Sequence, residues 1–328
     1  MMKKKNGLIY GAAALAVLCA VYVGVGQYMD HSQKKTEKEK EASKVYITDF
    51  SDVQSVSYDL DGNQLSFTKK DGTWNYDQDD KFPVKQAKLD GIASTVSKLE
   101  AVRKLDGGDG FAAYGLDQPI RSITVTAADN KKSVILLGNA TEDGDYYAAI
   151  QGEDTPYLIS ASLYTETDSK LDDLMALEEF PAIAGTDITD ITVTKGEDSK
   201  HFIKKKLDDE KGTIEWYKDS ADSKENKVED NSPLNVLADS LSSLKVKSCS
   251  NYNVNDSQLK DYGLDQPSAV ITYTYNKNGK DETFRLYVGS LNEDSSCYYT
   301  RTENSAFVNE IEKASIDKCL TVNGEISK

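Results

Sequence analysis

Apolar residues recur two apart at Val56 and Tyr58, at Leu65 and Phe67, and at Trp74 and Tyr76, with Val53 leading the first pair. A period of two predicts strands with one buried face, and the intervening Asp61-Gly62 and Asp71-Gly72 pairs predict the tight turns of antiparallel hairpins. Behind Pro83 the period changes. Leu89, Ile92, Val96, Leu99 and Val102 lie three and four apart, which predicts an amphipathic helix laid on the sheet. After Pro119 the pattern predicts strands over 122–127, 133–137, 146–150 and 155–159, then a final polar helix over 163–175. Strands, helix, strands and helix in that order indicate an α+β class with antiparallel sheets.

The chain states this pattern twice. Tyr114, Gly115, Leu116, Asp117, Gln118 and Pro119 recur as Tyr262, Gly263, Leu264, Asp265, Gln266 and Pro267. Upstream, Leu89, Ile92, Val96 and Leu99 match Leu234, Leu237, Leu241 and Leu244, and Gly72-Thr73-Trp74 matches Gly212-Thr213 with Trp216. Downstream, Ile123 to Thr126 matches Ile271 to Thr274, Gly138 matches Gly289, and Tyr146-Tyr147 matches Tyr298-Tyr299. Slow drift of the offset marks a duplicated module with small loop insertions. Two homologous modules are expected, 45–182 and 183–328, each of ordinary domain size.

The hexapeptide has a reading in backbone chemistry. Asp256 is expected to cap a helical turn over 257–262, Gly263 to end it in the left-handed conformation, and Leu264 to make the apolar contact that follows such endings. Pro267 pushes Gln266 into extended geometry, so a strand starts. Asp109, Tyr114, Gly115, Leu116 and Pro119 are expected to do the same in the first copy. In the second copy Ser232 is the expected N-cap and Pro233 the first helical position of the long helix. The repeated motif is read as structural, since turn chemistry explains it without a ligand. The Tyr-Tyr pairs alternate faces of a strand, and half-buried tyrosines are the plain explanation of them.

Residues 7–26 carry no charge over twenty positions, which at helical rise is about 30 Å and matches a bilayer's hydrocarbon core. The expected layout is a cytoplasmic start over 1–6, a transmembrane anchor over 7–28 in contact with lipid, and a polar tether over 29–44. Lys3, Lys4 and Lys5 precede the run, so everything after it is expected outside the membrane. A cleaved signal peptide shares the basic start, but the run exceeds the usual apolar region of about 7 to 15 residues. Cys19 suggests a lipoprotein, yet Leu18 is bulky where such cleavage needs a small residue.

Of 39 basic and 55 acidic residues, 8 and 4 precede Val45, leaving 31 and 51 in the external part. Such a surface repels nucleic acid and other polyanions. Asp59 to Asn63 reads as a hairpin turn, and the clusters at Asp77 to Asp80 and Asp208 to Glu210 lack the alternating ligands, central Gly and closing Glu of a calcium loop. His31 and His201 are the only histidines, and His201 has no evident partner or counterpart. Cys249, Cys297 and Cys319 read as small buried residues, too few and too scattered for a disulfide framework. With no nucleophile elbow, phosphate loop or dinucleotide fingerprint, neither a catalytic residue nor a cofactor is expected.

The duplicated Tyr-Gly-Leu-Asp-Gln-Pro, the segments Leu136-Leu137-Gly138 and Tyr287-Val288-Gly289, the Tyr-Tyr strands and the N-terminal anchor together resemble the bacterial family catalogued as domain of unknown function 4340, over nearly all of 45–322. The resemblance implies an extracytoplasmic accessory of a membrane export system, with a membrane protein partner such as an ABC-type transporter subunit. It brings no catalytic residues. The functional expectation is therefore a membrane-anchored scaffold or binding protein, the alternative being a cell-surface hydrolase or wall-modifying enzyme with carboxylates between the modules.

Overall fold

A computed structural model describes residues 44–106, 108–207 and 213–322. The expected anchor and nearly all of the tether, with Cys19, His31, Asp208 to Glu210 and Gly212, lie outside the described residues. Among the described residues no helix is long and apolar enough to cross a membrane.

The chain folds into two units. In the first, β2 (Val53–Leu60), β3 (Asn63–Lys70) and β4 (Thr73–Tyr76) form a meander. Its β2–β3 turn carries Asp61 and Gly62 at φ +55° and +78°, as a primed hairpin turn needs. Helix α1 (Gln86–Ser97) then returns the chain so that β7 (Arg121–Ala127) adds beside β2, followed by β8 (Lys132–Ala140), β9 (Tyr146–Ile150) and β10 (Pro156–Ile159). With β6 (Arg103–Lys104) on the far edge, the order is β4-β3-β2-β7-β8-β9-β10-β6, antiparallel throughout. Two further strands, β1 (Val45–Tyr46) and β5 (Glu100–Ala101), pair separately. Leu89, Ile92 and Val96 of α1 are fully buried, as are Val56, Phe67, Ile123 and Val125 of the sheet. Short helices α2 (Gly110–Ala113) and α3 (Ser162–Thr167) complete the unit.

The second unit holds β11 (Ile188–Lys195), β12 (Asp198–Lys206), β13 (Ile214–Lys218), α4 (Ser232–Ser242), β14 (Ser248–Asn251), β15 (Ala269–Lys277), β16 (Lys280–Leu291), β17 (Cys297–Thr302), β18 (Val308–Glu312) and α5 (Lys313–Leu320). Its sheet order is β13-β12-β11-β15-β16-β17-β18-β14, the first unit's order strand for strand. Leu234, Leu237 and Leu241 of α4 close one core with Ile191, Phe202, Trp216, Ile271 and Tyr273.

The units do not coincide with 45–182 and 183–328. Residues 78–85, although inserted between β4 and α1, belong to the second unit, together with everything from Leu174. There the Tyr252 hydroxyl donates to Asp79 (2.5 Å), and Phe82 meets the Tyr252 ring edge-on at 5.5 Å. Ala176 N–H donates to the Pro83 carbonyl and Lys85 N–H to the Leu174 carbonyl. Pro83 thus lies within an extended connection that continues through Val84, bridged to Met175, and the helix starts only at Gln86.

Other expectations are corrected locally. Val102 lies beyond the helix and is 58% exposed. The helix expected over 163–175 breaks after α3 and resumes as a 3-10 turn over Leu171–Leu174. The break has a cause: the Thr167 hydroxyl bonds back to the Leu163 carbonyl (2.7 Å), and Arg121 donates to the Tyr164 carbonyl (3.3 Å), occupying acceptors that the next turn would use. The N-cap position of α4 is held by Asn231, not Ser232, and without a side-chain cap bond.

Candidate functional site

Both units clamp the helix to the sheet edge in one way. Trp74 is buried with its indole N–H donating to Asp90 of α1 (2.9 Å), and Trp216 likewise donates to Asn235 of α4 (2.9 Å). A lysine lies over each ring, Lys69 at 5.3 Å and Lys204 at 4.9 Å. The backbone of each edge strand is satisfied by an amide side chain at the helix start. Gln86 accepts from Trp74 N–H and donates to its carbonyl, and Asn231 accepts from Trp216 N–H and donates to the Ile214 carbonyl. These amides blunt an edge strand that would otherwise invite pairing. Burial lowers the affinity of Lys204 for its proton, against the opposing pull of Asp187 and Asp239.

The hexapeptides lie on the other face of each sheet. Gly115 and Gly263 take φ +70° and +66°. Gly115 N–H donates to the Ala112 carbonyl and Leu116 N–H to that of Phe111, while Gly263 N–H donates to Lys260 and Leu264 N–H to Leu259. These paired bonds form the Schellman ending, with its apolar contact between Leu264 and Leu259. In the second copy the cap is Asn255, not Asp256. Asn255 accepts from Ser257 N–H (3.1 Å), and Gln258 returns the bond. In the first copy the Asp109 carboxylate takes the Tyr114 hydroxyl (3.2 Å) instead of capping.

Repeat marks that are distant in sequence meet here. A Cβ on Gly138 would sit 2.3 Å from the Tyr114 carbonyl oxygen, and one on Gly289 2.2 Å from that of Tyr262. Tyr147 packs on Tyr114 at 4.7 Å, and Tyr299 on Tyr262 at 5.1 Å. Hexapeptide, strand glycine and second tyrosine therefore form one small apolar cluster per unit. Asp117, Gln118, Asp265 and Gln266 face solvent, and their side chains make no hydrogen bond among the described residues. Pro119 and Pro267 are half-buried two residues before β7 and β15.

The first tyrosine of each pair faces the helices, and here the copies diverge. Tyr146 stacks on Tyr164 of α3 at 4.7 Å, with the Arg121 guanidinium 5.2 Å from the Tyr164 ring. Arg121 is buried, donates to Thr167 (2.9 Å) and Asp168 (3.0 Å), and leaves its Nε unpartnered. The hexapeptide register makes Ala269 the counterpart of Arg121. Aligning Ala161-Ser162-Leu163 with Ala314-Ser315-Ile316 makes Asp317 that of Tyr164. In place of the stacked plug, the Tyr298 hydroxyl donates to Asp317 (3.2 Å), which is also paired with Lys313. Desolvation, with Asp317 next, raises the Tyr298 pKa and keeps that phenol protonated.

The smaller side chains leave a cleft of about 580 Å³ lined by Lys195, Ser268, Ser290, Tyr298, Asp317 and Thr321. A second opening of about 710 Å³ runs between α4 and α5 over Pro233, Val236 and Leu237 and shares Asp317 and Thr321 with the first. In the first copy Lys88 reaches Glu166 across the helix pair (2.9 Å), and Gly91 lets Glu166 approach. Their second-copy counterparts are Pro233, Cys319 and Val236. Sequence patterning missed this site because its signal is a difference between the copies.

His201 is not unpaired: Asp190 lies 2.8 Å away on the adjacent strand. Cys249, Cys297 and Cys319 are free thiols. Burial raises Cys249 to about 11 and Cys319 to about 12, leaving both unreactive near neutrality. Asp77 accepts from Thr68 (3.1 Å), and among the described residues no group of three acids, cysteines or histidines could hold a metal ion.

A family model with the description Domain of unknown function (DUF4340) matches residues 74–230 and again 221–324. No curated protein and no solved structure matches the chain.

Proposed function

The chain belongs to the DUF4340 family, and on that premise we propose that it is a non-catalytic recognition protein. It is held at the outer face of a bacterial membrane by residues 7–28 and serves as an accessory of an ABC-type transport system. One observation carries the reading: the second unit opens a cleft at the helix face where the first unit packs its own Arg121 and Tyr164. A duplicated scaffold in which one copy is filled and the other open suits a spacer joined to a binder. The acidic external surface suits a partner with basic character.

The test is chemical crosslinking of the intact protein in its native membrane, followed by mass spectrometry. Recovery of a transporter permease or auxiliary subunit is expected. Recovery of wall polymer with no membrane protein would overturn the reading and favour a wall-modifying role.

A further inference from the structure

We infer that the second-unit cleft receives the guanidinium of an arginine on a partner protein, and that an apolar neighbour of that arginine lies in the adjoining α4–α5 groove. This rests on the recognition reading above and specifies its ligand.

The first unit supplies the template. Arg121 touches Tyr164, Thr167 and Asp168, with Tyr146 stacked behind. The counterparts of those four residues are Asp317, Leu320, Thr321 and Tyr298, and all four line the cleft. The second unit thus keeps the four positions and the tyrosine of a guanidinium site, with Asp317, Leu320 and Thr321 replacing Tyr164, Thr167 and Asp168. It lacks the guanidinium, because Ala269, buried in the core behind the cleft, stands where Arg121 would be. A carboxylate is retained, moved from the position of Asp168 to that of Tyr164. Ser268 and Ser290 add hydroxyls.

Hydration and shape, not charge, discriminate between cations, since the lysines at the cleft repel an ammonium and a guanidinium alike. Lys195 lines the cleft, and Lys313 holds Asp317, with its nitrogen 6.0 Å from the Tyr298 ring centroid. The Lys313 side chain is 42% exposed, so its ion pair contributes little and an incoming group can displace it. A compact, strongly hydrated ammonium would gain nothing by that exchange. A planar, weakly hydrated guanidinium can use the carboxylate and the tyrosine together. The apolar anchor has its own seat, since Val236 is 64% exposed beside buried Leu237 and half-buried Pro233. The external excess of 51 acidic over 31 basic residues steers a basic segment toward the protein.

The experiment selects a displayed library of short random peptides against the full-length protein in lipid nanodiscs, then titrates the enriched sequences as synthetic peptides. Enrichment of an arginine with an apolar residue three or four positions away is expected. Arg→Lys in the peptide, Asp317→Asn and Val236→Glu should each weaken binding by about tenfold or more, whereas Lys313→Met should tighten it. Both sites are solvent-accessible, so loss of binding is not loss of fold. Val102→Glu, at an exposed position of the first unit, should change nothing. No enriched peptide, lysine equal to arginine, or binding that survives both Asp317→Asn and Val236→Glu would overturn the proposal. If the membrane partner still crosslinks to the doubly substituted protein, recognition stands and this cleft is not its site. If no partner crosslinks to the wild type, the broader reading has failed.

Discussion

The two units share a strand order, a helix clamp and a Schellman turn, yet they treat the same helix face in opposite ways. One fills it with Arg121, Tyr164 and a Lys88–Glu166 bridge; the other has a buried Ala269 in place of the arginine and leaves Asp317, Pro233 and Val236 around open space. Features held in common are those that fix backbone geometry. Features that differ are side chains at a surface where packing tolerates loss. Duplication therefore separates what the fold requires from what a binding surface can use.

The largest expected effect breaks the common part. Gly289→Ala and Gly138→Ala each drive a methyl into a carbonyl oxygen 2.2 to 2.3 Å away, at a cost of about 3 kcal/mol or more in either unit. Hydrogen exchange followed by mass spectrometry should show each loss confined to its own sheet. Next, Arg121→Ala should cost the first unit about 2 kcal/mol, since buried acceptors at Tyr164 and Thr167 lose their donor. Denaturant titration should show that, and the same variant should gain a cleft like that of the second unit. Asp90→Ala and Asn235→Ala should cost about 1 kcal/mol each by removing the indole acceptor, and a large inequality between them would break the clamp equivalence.

The smallest effect belongs to the second unit alone. The Tyr252 hydroxyl, then Lys81 N–H, hold the Asp79 pKa below its usual value. A depressed folded pKa gives stability that is present above the unfolded value, near 3.9, and is lost as pH falls through the folded one. Tyr252→Phe should flatten that acid-side dependence with little change at pH 7, as measured by thermal melts across pH 2 to 6.

Much of this was legible in the chain. The period-two runs and Asp-Gly turns announced antiparallel strands because burial on one face imposes alternation. The hexapeptide announced its turn because glycine takes the left-handed φ of +70° at no steric cost. The cap positions were misread by one residue: Asn231 stands at the start of α4 but spends its amide on the strand edge instead of capping, and Asn255, not Asp256, takes the Ser257 N–H. Asp190 beside His201 and the lysines over the tryptophans were invisible, because strand register decides such pairs and the sequence does not state register. The cleft needed both copies superposed on one topology before Asp317 and Thr321 read as replacements for Tyr164 and Asp168.

The connection over 78–85 has a consequence for how the protein is made. Asp79 precedes its partner Tyr252 by 173 residues, which at about 5–20 residues per second is on the order of ten to thirty seconds of synthesis. Met175, the bridge partner of Val84, is made well before that, but for the whole interval Phe82 waits without the Tyr252 ring that meets it edge-on. The connection between β4 and α1 is therefore completed only when the second unit is made, and a chain interrupted before Tyr252 leaves Asp79 and Phe82 without that partner.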